Sequence, residues 1–381
     1  MEDALTIAGE LVAVPSVSSM SNGPVAEVTA QWMARAGFSL ERIEFVDRHG
    51  TPQVNLVGKK GPGRGGLAYF GHNDVVTVDS WSHSHSGPFE PAVRDGRLYG
   101  RGSCDMKGSV AAFLASAARI PTEQLSAPLY FVCTADEEIG FLGAKDVVAR
   151  SALYREMVRD QTVGIIGEPT RLEVVYAHKG ACSAQVISRG RAAHSSTREG
   201  LNANWAMIPF LAEMERIHCE LETDPAWIDP EFDPPDVRLN LCVTDHAPAL
   251  NITPPETVCR LAFRPMPGQP VAQLLDRIRN AAAAQGLEFT LTWNEPALRT
   301  DPQSDFIQDV LRLAGRDTPR SVGFGTDGSS FGEMRHLVVI GPGDIAQAHT
   351  DDEWIALEQL HAGVNLYDRL IRHWCCATPK A

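Results

Sequence analysis

The chain has 381 residues, with 34 Lys+Arg against 48 Asp+Glu and a formal net charge of −14. Its 44% apolar and 22% charged residues exclude wholesale disorder, and the length suggests two domains. The acidic balance argues against nucleic acid as a partner, because such binders carry a basic stripe; the densest basic stretch, Lys59-Lys60 with Arg64, is interrupted by glycines. Met1-Glu2-Asp3 lacks the basic start of a secretory signal. The longest apolar stretch, around Val110–Ala118, is far short of the ~20 residues that span a bilayer. The eight cysteines include no Cys-x-x-Cys pair and read as reduced, mostly buried thiols. A cytoplasmic protein without membrane or nucleic-acid partners is expected.

In chain order, the apolar spacing of Val25, Val28, Trp32 and Ala36 predicts a helix over 25–36, ended by Gly37. Strand-like runs follow at 42–46, 54–57 and 67–70, then a helix at 106–119 and a strand at 129–134. A helix near 143–150 and a strand at 163–166 continue the alternation, which predicts an α/β layered domain with a mixed sheet. From about Ala177 the texture changes. A strand at 184–188, a helix at 204–221, strands at 239–243 and 258–263, a helix at 271–285 and a strand at 289–292 give the order β-α-β-β-α-β. That is the ferredoxin-like split arrangement, here a small α+β insert. A helix at 306–314, a strand at 337–340 and a helix at 357–373 then resume the first pattern. The predicted organisation is residues 1–176 and 291–381 as one domain, interrupted by an insert over 177–290.

Two motifs mislead. Gly61-Pro-Gly-Arg-Gly-Gly66 has the G-x-G-x-x-G spacing but precedes a strand, where a dinucleotide loop must open a helix, so a hairpin turn is expected. Gly328-Ser-Ser-Phe-Gly332 matches the G-x-S-x-G nucleophile elbow, yet a Gly/Thr/Asp loop precedes Ser330 instead of a strand. A structural or substrate-lining loop is the reading there.

Carboxylates and imidazoles cluster directly after predicted strands in Gly71-His72-Asn73-Asp74-Val75, Gly102–Gly108 around Asp105, Ala135-Asp136-Glu137-Glu138 and Gly167-Glu168-Pro169. A fifth such segment is Ala348-His349-Thr350-Asp351. The intervals 72→105, 105→138 and 138→168 are each about 30 residues, one βαβ unit. That spacing predicts one row of groups at the carboxyl ends of the strands, where α/β folds bind ligands. Two imidazoles and several carboxylates suit hard-to-borderline divalent metals, and they are too many for one tetrahedral zinc. Asp105, Glu138 and Glu168 with one hydroxide supply four negative charges, the complement of two divalent cations about 3.5–4 Å apart.

At these residues the sequence resembles the zinc-dependent amidohydrolase and exopeptidase family that includes acetylornithine deacetylase, succinyl-diaminopimelate desuccinylase, aminoacylase and glutamate carboxypeptidase. The likeness runs from Leu11-Val-Ala-Val-Pro-Ser-Val through Tyr99-Gly-Arg-Gly-Ser-Cys-Asp-Met-Lys-Gly108 to Gly341–His349. It implies a zinc-exopeptidase-like catalytic domain and a ferredoxin-like insert that dimerises the chain and serves as a lid. It also implies a bridging Asp105, with His72 and Glu168 completing one metal site and Glu138 and His349 the other. Glu137 is the implied general base, and Asp74 the group orienting His72. The implied cofactors are two divalent ions, zinc with cobalt as the substitute, and the implied reaction is hydrolysis of the amide of an N-acyl-L-amino acid. In relatives a histidine of the Ala193-His194-Ser195-Ser196 type reaches the partner subunit's site. Arg264, Asn251, Gly325 and Thr326 are the candidate substrate contacts. Several runs look most like the acetylornithine and acetylcitrulline deacetylases, whereas Thr326-Asp-Gly328 leans toward the desuccinylases.

Overall fold

The computed structural model describes residues 3–247 and 249–377. The chain forms two compact units: Met1–Ala177 with Arg299–Arg320 and Thr326–Ala381, and His178–Leu298 with Ser321–Gly325.

In the first unit, neighbouring strands run in the order Ser39–Val46, Pro52–Lys60, Leu129–Thr134, Leu67–His72, Val163–Ile166, Leu337–Val339 and Val175–His178. The central four, from Leu129–Thr134 to Leu337–Val339, are mutually parallel, and antiparallel strands flank them. Leu67–His72 and Leu129–Thr134 are buried along their whole length, which explains their continuous apolar sequence. Helix Lys107–Ala118 is also buried on nearly every side. Its Ala, Ser and Gly residues let Ala4–Val12 and Leu357–Cys375 pack closely against it.

The glycine run 61–66 is not a hairpin. Leu129–Thr134 lies between the strands on either side of that run, so the loop crosses the start of an intervening strand. Gly63 and Gly66 have φ of +91° and +78°, and a Cβ on either would strike the backbone of Ser126 or Pro128. Helices Ala4–Val12 and Ala152–Arg159, and a three-stranded sheet of Ala92–Arg94, Arg97–Tyr99 and Trp354–Ala356, are additions to the expected elements.

The second unit is an antiparallel sheet ordered Asn240–Asp245, Glu256–Phe263, Ala181–Arg189, Glu288–Glu295, with helices Ala203–Leu221 and Val271–Ala284. The element order along the chain is β-α-β-β-α-β. None of the eight cysteines is in a disulfide. Among the described residues no helix is long and apolar enough to cross a membrane.

Candidate metal centre

The parallel strands of the first unit end on the predicted donors. His72 is the last residue of Leu67–His72, opposite Thr134 on the next strand. Glu137 and Glu138 open the short helix Glu137–Gly140 just past Leu129–Thr134, after Asp136 turns the chain at φ +65°. Glu168 follows Val163–Ile166 by two residues. His349, at φ +63°, lies beyond Leu337–Val339 across a loop.

Asp105 is the exception. The strand before it, Arg97–Tyr99, belongs to the small sheet, so the thirty-residue spacing does not place Asp105 at the end of a main-sheet strand. It sits instead at the start of helix Lys107–Ala118, two residues before its first turn, and its peptide to Met106 is cis.

These side chains converge. His72 Nε2 lies 3.3 Å from Asp105 Oδ1 and 3.7 Å from Glu168 Oε1. His349 Nε2 lies 3.2 Å from Asp105 Oδ2 and 3.1 Å from Glu138 Oε2. Donor atoms of His72, Asp105 and Glu168 all fall within 4.8 Å of one another, as do those of Asp105, Glu138 and His349. The two groups share Asp105. Glu137 is close by, with Oε2 3.9 Å from His72 Nε2.

His72 Nδ1 lies 2.9 Å from the backbone oxygen of Asp74, and 3.6 Å from its carboxylate. Donation to that carbonyl fixes the tautomer that leaves Nε2 with a free lone pair. The Asp74 carboxylate is engaged elsewhere. It accepts from the Ser18 hydroxyl at 2.7 Å and from the backbone N–H of Glu137 and Glu138 at 3.1 and 3.3 Å. Asp74 therefore orients His72 through its main chain and the Glu137-Glu138 turn through its side chain.

The electrostatics fit a divalent pair. Burial raises Glu137 well above the ordinary carboxylate range; His72 opposes this, while Glu168 and Glu138 add to it. Burial and then Asp105 push Glu168 up in the same way. Burial works against ionisation of Asp105 too, yet contacts from His349 and His72 hold it well below the usual range. The same contacts with Asp105 and Glu138 carry His349 up to about 10. Without cations, then, protons neutralise the cluster, and divalent metals displace such protons when they bind. Glu138 Oε1 is buried with no hydrogen-bond partner among the described residues, a costly state for a carboxylate unless a cation faces it.

Residues 68–373 match the family described as Peptidase family M20/M25/M40. The chain belongs to that family. An acetylornithine deacetylase of Myxococcus xanthus is 36% identical over 379 residues, covering 96% of each chain. The M20 fold is shared with a metallo-carboxypeptidase of Sulfolobus solfataricus, at TM-score 0.75 and 16% identity over 98% of this chain and 99% of that one. It is also shared with a Bacillus subtilis protein described as a dinuclear metal binding peptidase, at TM-score 0.65 and 13% identity over 97% and 96% of the two chains. Membership makes this M20 chain a hydrolase of amide bonds.

Four further sequence candidates lie in the second unit of the M20 chain. His194 is exposed; its Nδ1 pairs with Ser196 Oγ at 2.7 Å, and its backbone bridges Ile252. Asn251 is exposed as well, and its carbonyl accepts from Ser195 N at 2.9 Å, so it shapes the His194 loop. Arg264 is exposed, has no acidic partner among the described residues, and lines a cavity of about 380 Å³ with Lys179, Arg238, Asp236, Phe263 and Trp293. Gly325 approaches the Lys179 carbonyl closely enough that a Cβ would sit 3.2 Å from it. Thr326, in the first unit, is fully buried, and its hydroxyl accepts from Gly328 N at 3.1 Å. Its side chain shapes the loop.

Ser330 lies in the 3₁₀ helix Asp327–Phe331, with its Oγ buried and no hydrogen-bond partner among the described residues. Among the described residues no base touches it, which argues against the nucleophile elbow. Two buried carboxyls are not singled out in the sequence, Asp327 being read only as part of the Gly325–Gly328 loop. Asp327 is buried, accepts from Thr134 Oγ1 at 2.9 Å, and is pushed up by burial to about 6. Glu353 is also buried, beneath the Asp105 loop. In sequence it ends the run Asp351-Asp352-Glu353, which looks like any solvated acidic stretch.

Proposed function

We propose that the chain removes the acyl group of an N-acyl-L-amino acid in the manner of the acetylornithine deacetylases. Two divalent cations, zinc or cobalt, would be held by His72, Asp105 and Glu168 and by Asp105, Glu138 and His349. The observation that carries this reading is the pair of donor groups sharing Asp105, in a chain 36% identical to an acetylornithine deacetylase.

When bound, such cations polarise the acyl carbonyl and lower the pKa of water toward ~7. Glu137, next to the donor Glu138 and buried against His72, takes a proton from the attacking water and hands it to the departing amine. Arg264, lacking an acidic partner, is the proposed fork for the substrate's carboxylate.

A panel of N-acetyl, N-succinyl and N-formyl amino acids and dipeptides, assayed with added zinc or cobalt, tests the substrate. N-acetyl amino acids, acetylornithine among them, are expected to give the highest kcat/KM. Preference for the succinyl compounds or the dipeptides would replace this reading with a desuccinylase or an exopeptidase.

The proposed homodimer forms through the second unit. Asn240–Asp245 is an edge strand with exposed side chains, and Trp205 and Ile208 of the adjoining helix are 71% and 52% exposed. An open edge beside an apolar helix face suits a second copy of the same chain. His194 is proposed to donate to the reacting carbonyl oxygen in the partner's site. His194→Ala should lower kcat by roughly 10²–10³, as for other donors to an oxyanion. Mixed dimers of the His194→Ala and Glu137→Gln chains should regain turnover that neither parent has. If mixing restores nothing, His194 does not serve across the dimer.

A further inference from the structure

Asp105 follows no main-sheet strand, so something else must hold its carboxylate between the two imidazoles. Glu353 is the residue on which the whole 101–105 loop converges. One of its carboxylate oxygens, Oε2, accepts from Arg101 Nη1 at 2.9 Å and from Gly102 N at 3.0 Å. The other, Oε1, accepts from Cys104 N at 2.8 Å and from Asp105 N at 2.9 Å. Its backbone carbonyl accepts from Gly100 N at 3.0 Å, which continues the pairing of Trp354–Ala356 with Arg97–Tyr99. Arg101 and Glu353 are each 1% exposed, so neither charge is shared with water. The loop can wrap one side chain this tightly because Gly102 takes φ +85°, where a Cβ would press on Val75 and Lys107.

We infer that Glu353 is a positioning residue for the metal centre, presetting the Asp105 loop so that its carboxylate faces His72 and His349 before any cation arrives. A buried carboxylate binding three N–H groups of one loop and a guanidinium is strongly directional, because each donor is fixed by backbone or by a planar fork. The geometry also ties two donors together. Glu353 lies four residues after His349, so one short segment carries the imidazole that meets Asp105 and the carboxylate that aims Asp105 at it. Held this way, the shared ligand spends no loop-ordering entropy when metal binds, which raises affinity at both positions.

This inference rests on the proposed reading of Asp105 as the shared cation ligand, and the test separates the two. Cobalt is titrated into the metal-free full-length chain, following its visible absorption against a competing chelator. Glu353→Gln keeps size but replaces one acceptor oxygen by a donor, setting it either against Gly102 N and Arg101 or against Cys104 N and Asp105 N. It should weaken cobalt binding by about 10–100-fold and alter the cobalt spectrum, the range found for partners of metal ligands. Glu353→Asp should recover part of that loss. A folded Glu353→Gln chain with unchanged affinity and spectrum would overturn the inference, whereas unchanged affinity in Asp105→Asn would overturn the reading beneath it. Should Glu353→Gln fail to fold, hydrogen exchange on the metal-free natural chain decides. Peptides covering 101–106 are expected to be protected without metal, and exchange as fast as in exposed loops would refute the presetting.

Discussion

Replacing Glu137 by glutamine is expected to cut kcat by about 10²–10⁴, the range lost with a positioned acid–base group, while both cations stay bound. The amide fills the same buried space beside His72 but cannot carry a proton at neutral pH. Glu138, its neighbour in the same turn, is the member of the pair that meets His349 and so belongs with the cation donors. Elemental analysis beside steady-state kinetics checks the expectation. Near-normal turnover would remove Glu137 as the base. Loss of one metal equivalent would instead make it a ligand, since its donor atom also groups with those of His72 and Glu138.

Stripping the cations with a strong chelator is expected to have an effect as large. Turnover should vanish, the melting temperature should fall, and zinc or cobalt should restore both. Lewis-acid stabilisation of a developing oxyanion is worth several kcal/mol, about 10³-fold in rate or more. The thermal effect has a separate origin: a ligand that binds only the folded chain stabilises it, by about 4 kcal/mol at a thousandfold excess over Kd. Serine-directed phosphonates should do nothing, because Ser330 Oγ is buried without a base. Full activity in a preparation free of stoichiometric transition metal would end the metal-dependent account.

Much of the first unit is legible from apolar pattern. Leu67–His72, Leu129–Thr134 and Val163–Ile166 read as short continuous apolar runs because both faces of a central parallel sheet are covered. Their order is not legible. The insertion of Leu129–Thr134 between Pro52–Lys60 and Leu67–His72 turns an expected hairpin into a crossing loop, and nothing local to residues 61–66 records it. Ala92–Arg94, Arg97–Tyr99 and Trp354–Ala356 are three residues each, too short for a period to emerge. Ala152–Arg159 is missed for a different reason: two of its eight residues are buried, so its sequence is mostly that of a solvated surface.

The candidate donors divide along the same line. His72, Glu137, Glu138 and Glu168 could be named and placed from sequence, because each follows a strand whose apolar run marks where the chain leaves the sheet. Asp105 could be named from its donor chemistry and from the family likeness of its motif, but not placed. Its regular interval from His72 and Glu138 is a coincidence of loop lengths.

By itself, then, the sequence determined the donor chemistry, the parallel strands that deliver most of it, and the family. Only the tertiary structure decided that Asp105 meets both imidazoles, that the Asp74 carboxylate accepts from the backbone N–H of Glu137, and that Glu353 holds the Asp105 loop from 248 residues away. The physical reason is range. Periodicity and capping are set by neighbours a few positions apart, whereas a buried carboxylate chooses its N–H partners from whatever the fold brings within 3 Å or so.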